Sequence, residues 1–168
     1  MPDRQSASRS RGVTSPPPWF SRCSLPTYTV NGMTPRRFTR QEAEDMLPYL
    51  APLLFKLRNL KEKHDRLQEE AADISARMRG NGHGLGDDLR KAQAELQNTG
   101  VQINELAERI NGMGCELKDM DMGLIDFRAM VNGREAYLCW KLGEEHVTHW
   151  HELDTGFASR RLLEGAGD

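Results

Sequence analysis

Apolar residues spaced alternately by three and four positions dominate the first half of the chain. The spacing runs without interruption from Ala43 to Met78 and returns from Leu89 to Met113. This pattern places one apolar stripe along a helix, and two such stripes of similar length pack against each other. Between them, residues 80–86 include four glycines, which end the first helix and allow the chain to reverse. The sequence therefore predicts a long antiparallel helical hairpin, a coiled coil, over residues 38–113.

The first helix has a recognisable start and one weak segment. Thr39 and Glu42 have the spacing of a capping box, so we expect the helix to begin there. Pro48 and Pro52 each remove a backbone hydrogen bond, which predicts a bend or break near them. His64 is the one polar residue on the apolar stripe, and folding the hairpin about residue 83 places it near residues 99–103.

Short β-prone runs replace the helical pattern after Met113. Asn132-Gly133 is a strong turn signal, and Gly143–His146 forms a second connection between two aromatic-rich runs. These signals predict a small antiparallel meander of three or four strands over residues 114–160. The fold class is α+β, with residues 38–160 as a single domain.

The two ends of the chain differ from this domain in composition. Residues 1–37 carry six arginines against one acid, together with Ser15-Pro16-Pro17-Pro18, and bury too little apolar surface to offset the entropy of ordering. We predict a disordered basic tail there, in which Met33 is a possible alternative start, and a flexible C-terminus over residues 161–168.

Charge and cysteine content restrict the class of protein. The formal net charge is -2, which does not indicate a general binder of polyanions. Three widely spaced cysteines do not form a disulfide framework, so a reducing cytoplasm is expected. No apolar run has the length of about 18 residues that a membrane-spanning helix needs.

Several motifs resemble those of a known family. The resemblance covers Phe38 to Arg160 and is carried by Gly-x-x-Leu-Lys-Asp-x-Asp-x-Gly-Leu-x-Asp-Phe at 114–127, Gly133-Arg134, Tyr137-Leu138-Cys139-Trp140, Leu142-Gly143-Glu144, Trp150-His151-Glu152 and Gly156-Phe157-Ala158. The chain is similar in these positions to the bacterial family called domain of unknown function 2203. Ser159 stands where glycine is expected and Glu145 where proline is common. The resemblance implies a helical hairpin plus a small β-region and brings no activity or catalytic residues.

The last predicted hairpin can be aligned in more than one register. If Leu142 pairs with Val147, His149 and His151 point to one face of the sheet and Cys139 to the other. A shift by one residue instead places Cys139 beside His151 or His149. The alternatives predict different sites.

The first register favours a metal site. His149 and His151 then form an His-x-His pair, which Glu152, Asp119 or Asp121 would complete for zinc or iron. The alternative is that the two histidines lie on the surface of a strand and bind no metal.

The shifted register favours thiol chemistry. Cys139 and His151 would then form the thiol and base of a cysteine nucleophile. Asp119 and Asp121 are separate candidates for a pair of catalytic carboxylates, although Asp121-Met122-Gly123 is also typical of a turn. A buried cysteine that packs as a small apolar residue is the alternative.

Other residues are candidates for ligand binding. Trp140 and Trp150 have the aromatic faces to stack a planar ligand, although tryptophans on a small sheet more often form its core. Arg134 and Arg160 are candidates for binding an anion, and salt bridges with nearby acids are their alternative role. His83 in the glycine loop is a further anion candidate, unless that loop is only a turn between the helices.

Taken together, these features predict an interaction or scaffold module in the cytoplasm, with a protein partner or a second copy as its ligand and without enzymatic activity. The alternative is a metal-binding protein, or a metal-dependent or thiol enzyme, built on Cys139, His149 and His151. Nucleic-acid binding through the basic tail is the third hypothesis, with a dispensable extension as the alternative interpretation of that segment. The mixed charges on both helices argue against a nucleic-acid surface on the hairpin itself.

Overall fold

The computed structural model describes residues 36–81 and 84–163. Within these ranges, two helices precede five strands and a short 3-10 turn at Phe157–Ser159. The elements are α1 (Arg40–Asn81), α2 (Gly86–Gly112), β1 (Glu116–Asp119), β2 (Leu124–Val131), β3 (Arg134–Lys141), β4 (His149–Glu152) and β5 (Arg161–Leu162). The predicted α+β class is confirmed, with five strands instead of three or four. The predictions for residues 1–35, His83 and 164–168 lie outside the described residues.

The strands form one antiparallel sheet in the order β1-β2-β3-β4-β5. Strand order follows chain order, so every connection is short and the sheet is a meander. β5 lies beyond residue 160, where the sequence placed the end of the β-region, because Arg161 and Leu162 pair with β4. The backbone N–H of Leu163 also donates to the Thr148 carbonyl.

The start of α1 is the predicted capping box. The N–H of Glu42 donates to Oγ1 of Thr39 at 3.1 Å, and the N–H of Thr39 donates to Oε2 of Glu42 at 2.8 Å. The helix continues through Pro48 and Pro52 as one element, so the predicted break does not occur. Both prolines lie on the exposed side of α1, where water can satisfy the carbonyl groups that lose their helical donors.

The apolar stripes of α1 and α2 face each other as predicted. His64 is buried, and a Cβ on Gly100 would lie 3.9 Å from its Nε2 atom, so it occupies the expected place in the interface. Leu47 and Leu54, which lie off the predicted stripe, are buried as well. The first part of α1 therefore packs on two neighbours, α2 and the sheet.

One face of the sheet packs against the hairpin and forms the main core. The core side chains of the strands are almost all apolar: Leu117, Ile125, Phe127, Ala129, Val131, Ala136, Leu138 and Trp140. They join side chains from the first part of α1 and the last part of α2. None of the helices in the described residues carries an apolar stretch long enough to span a lipid bilayer.

Candidate metal centre

The sheet face opposite the hairpin carries polar side chains. Residues directly opposite each other in antiparallel strands point to the same face, and neighbours along a strand alternate. Register therefore places these residues together on one face: Glu116, Asp126, Arg128, Tyr137, Cys139, His149 and His151. Four of them, Asp126, Tyr137, Cys139 and His151, are buried even though they lie outside the main core.

The observed register of β3 and β4 is one of the shifted alignments. Cys139 pairs with His149, and Tyr137 pairs with His151. The alignment in which Leu142 pairs with Val147 is wrong, because β3 ends at Lys141 and β4 begins only at His149. Glu144 shapes the longer loop between them, since its Oε2 accepts the Lys141 N–H at 2.9 Å.

Three potential metal ligands converge on this face. One carboxylate oxygen of Asp126, Sγ of Cys139 and one ring nitrogen of His151 all lie within 4.8 Å of one another. Asp126 and Cys139 are direct cross-strand partners, and His151 reaches them diagonally from β4. Each side chain is at most 3% exposed, so bulk water does not compete for these atoms.

Hydrogen bonds fix the orientation of the His151 ring. Its Nδ1 lies 2.8 Å from the backbone carbonyl of Glu152, and a carbonyl only accepts, so Nδ1 carries the proton. Nε2 then faces Oδ2 of Asp126 at 3.1 Å. A cation between these two atoms, either a proton or a metal ion, makes the contact favourable.

The charges around His151 act in opposite directions. Burial disfavours the charged imidazole, but the hydrogen bond to Asp126, the bond to the Glu152 carbonyl and the Asp126 charge outweigh it and raise the pKa of His151. In the absence of a metal ion, this side chain therefore holds its proton to higher pH than an exposed histidine.

Cys139 is a protonated thiol unless a cation joins the site. Burial raises its pKa well above the usual value, and the neighbouring Asp126 charge raises it further, while Arg160 opposes both effects. Both nitrogens of His151 already have other partners, Asp126 and Glu152. The geometry consequently does not provide the base that an activated cysteine nucleophile needs.

Oδ1 of Asp126 is fully buried and accepts no hydrogen bond of ordinary length from the described residues. The Cys139 thiol lies close enough to interact with the Asp126 carboxylate. A buried carboxylate oxygen without a normal hydrogen bond is uncommon and leaves this position open to a further donor or an ion.

A second polar network lies beside the cluster. The Tyr137 hydroxyl donates to Oε1 of Glu116 at 2.7 Å and accepts from Arg128 at 3.0 Å. Lys118 bridges the two groups of residues, with Nζ 2.7 Å from Glu116 and 3.9 Å from Asp126. Burial and the Glu116 bond raise the pKa of Tyr137 to about 12.

Arg160, in the C-terminal segment, lies close enough to Cys139 to influence its thiol. Its Nη1 donates to Oε1 of Glu144 at 2.9 Å, and its guanidinium stacks 3.9 Å from the centre of the Phe157 ring. Arg160 is thus a salt-bridge partner close to the thiol. The C-terminal segment and the β3–β4 loop are joined at this point.

The remaining predicted metal and carboxylate residues lie outside the cluster, although His149 shares its face of the sheet. Nδ1 of His149 is 3.0 Å from Thr148 Oγ1, and Glu152 is exposed and 3.6 Å from Arg161. Oδ1 of Asp119 accepts the Met122 N–H in a turn, while Asp121 is exposed. The structure brings together Cys139 and His151 but not the His149–His151–Glu152 set.

The other candidate ligand-binding residues have separate environments. Trp140 is buried in the core and donates from Nε1 to the Glu144 carbonyl, which favours the core interpretation. Trp150 packs against the same core, half-buried. Arg134 is exposed at the start of β3, next to the Asn132–Gly133 turn.

Asp126 is the site residue that sequence reasoning missed. It lies in Leu124-Ile125-Asp126-Phe127, where one acid interrupts a β-prone run and the flanking residues are apolar. A charged residue between buried neighbours on a central strand is itself a signal, because burying an unpaired charge is costly.

Comparisons with known proteins identify a family. No curated protein and no solved structure matches the chain. Residues 36–163 match the family described as "Uncharacterized conserved protein (DUF2203)". The match covers more than half of the 168 residues. The chain therefore belongs to this family of uncharacterised conserved proteins.

Proposed function

We propose that the protein binds one divalent transition-metal ion, preferably zinc, through Asp126, Cys139 and His151. The observation that carries this proposal is the convergence of a carboxylate, a thiol and an imidazole within 4.8 Å in a buried position. These are the three side-chain types that zinc accepts in proteins.

The spacing of the ligand atoms supports the proposal. In a tetrahedral zinc site, bonds of about 2.0–2.3 Å place neighbouring ligand atoms roughly 3.3–3.6 Å apart. Nε2 of His151 and Oδ2 of Asp126 are 3.1 Å apart. Small side-chain movements of the three residues are therefore enough to surround an ion.

The surroundings of the ligands also suit a metal ion. Nδ1 of His151 donates to a backbone carbonyl, the usual arrangement that holds a metal-binding histidine in position. The unpaired Oδ1 of Asp126 would gain either the ion or a metal-bound water as its partner. A metal ion would also convert the Cys139 thiol to a thiolate, which burial otherwise prevents.

The ligand types select among metals. A thiolate is a soft ligand, which disfavours magnesium and calcium, and mixed nitrogen, sulfur and oxygen ligands suit zinc best, with ferrous iron as the competitor. Three protein ligands leave a fourth position for water, the pattern of catalytic rather than purely structural zinc sites. The cytoplasmic location expected from the cysteines belongs to this proposal, because a reducing compartment keeps Cys139 available as a ligand.

Metal titration of the purified full-length protein tests the proposal. After dialysis against a chelator, zinc should raise the melting temperature, because a ligand that binds only the folded state stabilises it by about 2.7 kcal/mol at 100 times its Kd. Cobalt should give a thiolate charge-transfer band in the near-ultraviolet. We expect Cys139→Ala to abolish the band, and Asp126→Asn and His151→Ala to weaken zinc binding at least tenfold.

Two variants serve as matched controls. Cys115 is the other buried free cysteine among the described residues, and His149 is the neighbouring histidine outside the cluster. Cys115→Ala and His149→Ala should keep both the cobalt band and the zinc shift. Absence of a band and of any shift in folded wild-type protein would reject the proposal, as would full retention of both in Cys139→Ala.

A further inference from the structure

A stripe of apolar residues on α1 faces solvent. Tyr49 is 70% exposed and Phe55 is 53% exposed, and Pro48 and Pro52 are exposed beside them. Steps of three and four residues place these side chains on one side of the helix. The residues that face α2 and the sheet lie on the other side of the same segment, for example Leu50 and Leu54. Contiguous aromatic and proline surface of this kind indicates an interaction site.

The two prolines add hydrogen-bond acceptors to this stripe. Because a proline has no N–H, Pro48 and Pro52 cannot donate to the carbonyls of Glu44 and Pro48, four residues earlier. Those carbonyls therefore lack the backbone donor that any other residue would supply. A partner with cationic or hydroxyl donors would satisfy them.

The charges at the two ends of the stripe have opposite signs. Asp45 lies about 10 Å from Pro52 towards the helix start, while Lys56 and Arg58 lie about 6 and 9 Å away in the other direction. Asp45 and Lys56 are exposed. The stripe therefore has an acidic end, an apolar centre and a basic end.

Two copies of this stripe have matching charges when their helices run antiparallel, because the acidic end of each then meets the basic end of the other. If a second α1 packs antiparallel about a two-fold axis at Pro52, Tyr49 of each copy comes level with Phe55 of the other along the helix axes, because the two lie three residues on either side of Pro52. The two aromatic rings then lie on opposite edges of the contact and enclose the prolines at its centre. Asp45 of each copy then lies within a helical turn of Lys56 and Arg58 of the other. Lys56 also comes opposite Pro48 of the second copy, within reach of its carbonyl group.

We propose that the Pro48–Phe55 stripe is the contact surface of a homodimer, in which α1 of a second copy packs antiparallel about a two-fold axis near Pro52. A two-fold contact uses the same patch on both copies, and the apolar centre with oppositely charged ends meets that requirement. It gives a location to the self-association that the sequence predicted. One helix pair buries less surface than a standard stable interface, so the dimer is reversible.

Sedimentation velocity of the full-length protein over a wide concentration range tests the dimer. Wild type should shift from monomer to dimer as concentration rises, and Phe55→Glu should raise the dissociation constant at least tenfold by placing a charge in the apolar centre. Val101 on α2 is a matched control, since it is 49% exposed and lies on the other helix. Val101→Glu should leave the dissociation constant unchanged.

Charge exchange tests the antiparallel geometry. Asp45→Lys alone, and Lys56→Glu with Arg58→Glu, should each weaken the homodimer, because like charges then face each other at both ends. An equimolar mixture of the two variants should dimerise again, since each heterodimer restores both opposite-charge contacts.

Three results would overturn the proposal. A wild-type chain that stays monomeric at every concentration would assign the stripe to a different partner. A dimer that Phe55→Glu leaves unchanged would place the contact elsewhere on the molecule. A mixture of the charge variants that does not recover dimerisation would reject the antiparallel arrangement.

Discussion

At the scale of single residues, the contact between Asp126 and His151 determines how the metal-free site behaves. The two side chains are buried and 3.1 Å apart, and Nδ1 of His151 already donates to the Glu152 carbonyl. The proton at Nε2 consequently holds the pair together when no metal ion is bound. A metal ion would replace this proton, so protons and metal compete for the same position.

This contact makes the stability of the metal-free protein depend on pH. The pKa of His151 is raised above its ordinary value of 6.5, so the pair contributes its full stabilisation below about pH 6.5 and loses it as pH rises through the folded-state pKa. Urea unfolding in a chelator should therefore show a free energy of unfolding that falls as pH rises above about 6.5. Asp126→Asn should flatten that fall and His149→Ala should preserve it. If the free energy of unfolding depended on pH equally in wild type and Asp126→Asn, the Asp126–His151 contact would not be the cause of that dependence.

The candidate site could be predicted only in part. Cys139 and His151 were candidates because of their side-chain chemistry, and the shifted register that places Cys139 beside His149 was one of the alternatives. A shift of one residue exchanges the two faces of a strand, so the register depends on the loop as well as on the apolar pattern. The loop is longer than predicted, because β4 begins only at His149, and Glu144 in this loop binds both the end of β3 and Arg160.

At the scale of elements, the helices could be predicted in more detail than the strands. Capping chemistry and apolar spacing are local, so the start of α1 and the facing stripes of α1 and α2 follow from neighbouring residues. The break expected at Pro48 and Pro52 does not occur because packing of the buried side of α1 holds the helix together. β5 has only two residues and depends on β4, so no local pattern predicts it.

Two glycines in strand connections provide an element-scale prediction. Gly123 and Gly133 both have positive φ, at +62° and +75°, so alanine at either position adopts an unfavourable backbone conformation of the same kind. A Cβ on Gly123 would lie 2.7 Å from Cβ of Leu142, whereas a Cβ on Gly133 would meet nothing within 4 Å. Gly133→Ala should cost about 1 kcal/mol, and Gly123→Ala about 1–3 kcal/mol more. Chemical denaturation of both variants measures the difference, and equal costs would show that Leu142 moves aside freely.

At the scale of the whole molecule, the core lies at one end of the hairpin. The main core cluster draws on residues 38–57 of the first segment, residues 103–110 of α2 and the sheet. Farther along the hairpin, the buried residues are few and partly polar: His64, Ile74, Ala92 and Thr99. Among the described residues, α1 and α2 pack mainly against each other there, so that end of the hairpin has less apolar burial to stabilise it.

This uneven core predicts a gradient of local stability along the hairpin. Amide hydrogen exchange measured by mass spectrometry should be slow in residues 43–57 and 103–110 and faster in residues 67–78 and 87–96, because regions with little apolar burial open more easily. Added zinc should slow exchange in β2, β3 and β4, which supply the three proposed ligands, and leave residues 67–96 unchanged. Zinc protection that spreads equally over the distal hairpin would show that the hairpin and the sheet open as one cooperative unit. Uniform exchange along both helices without zinc would mean that the pairing of α1 with α2 stabilises its distal end as strongly as the core does.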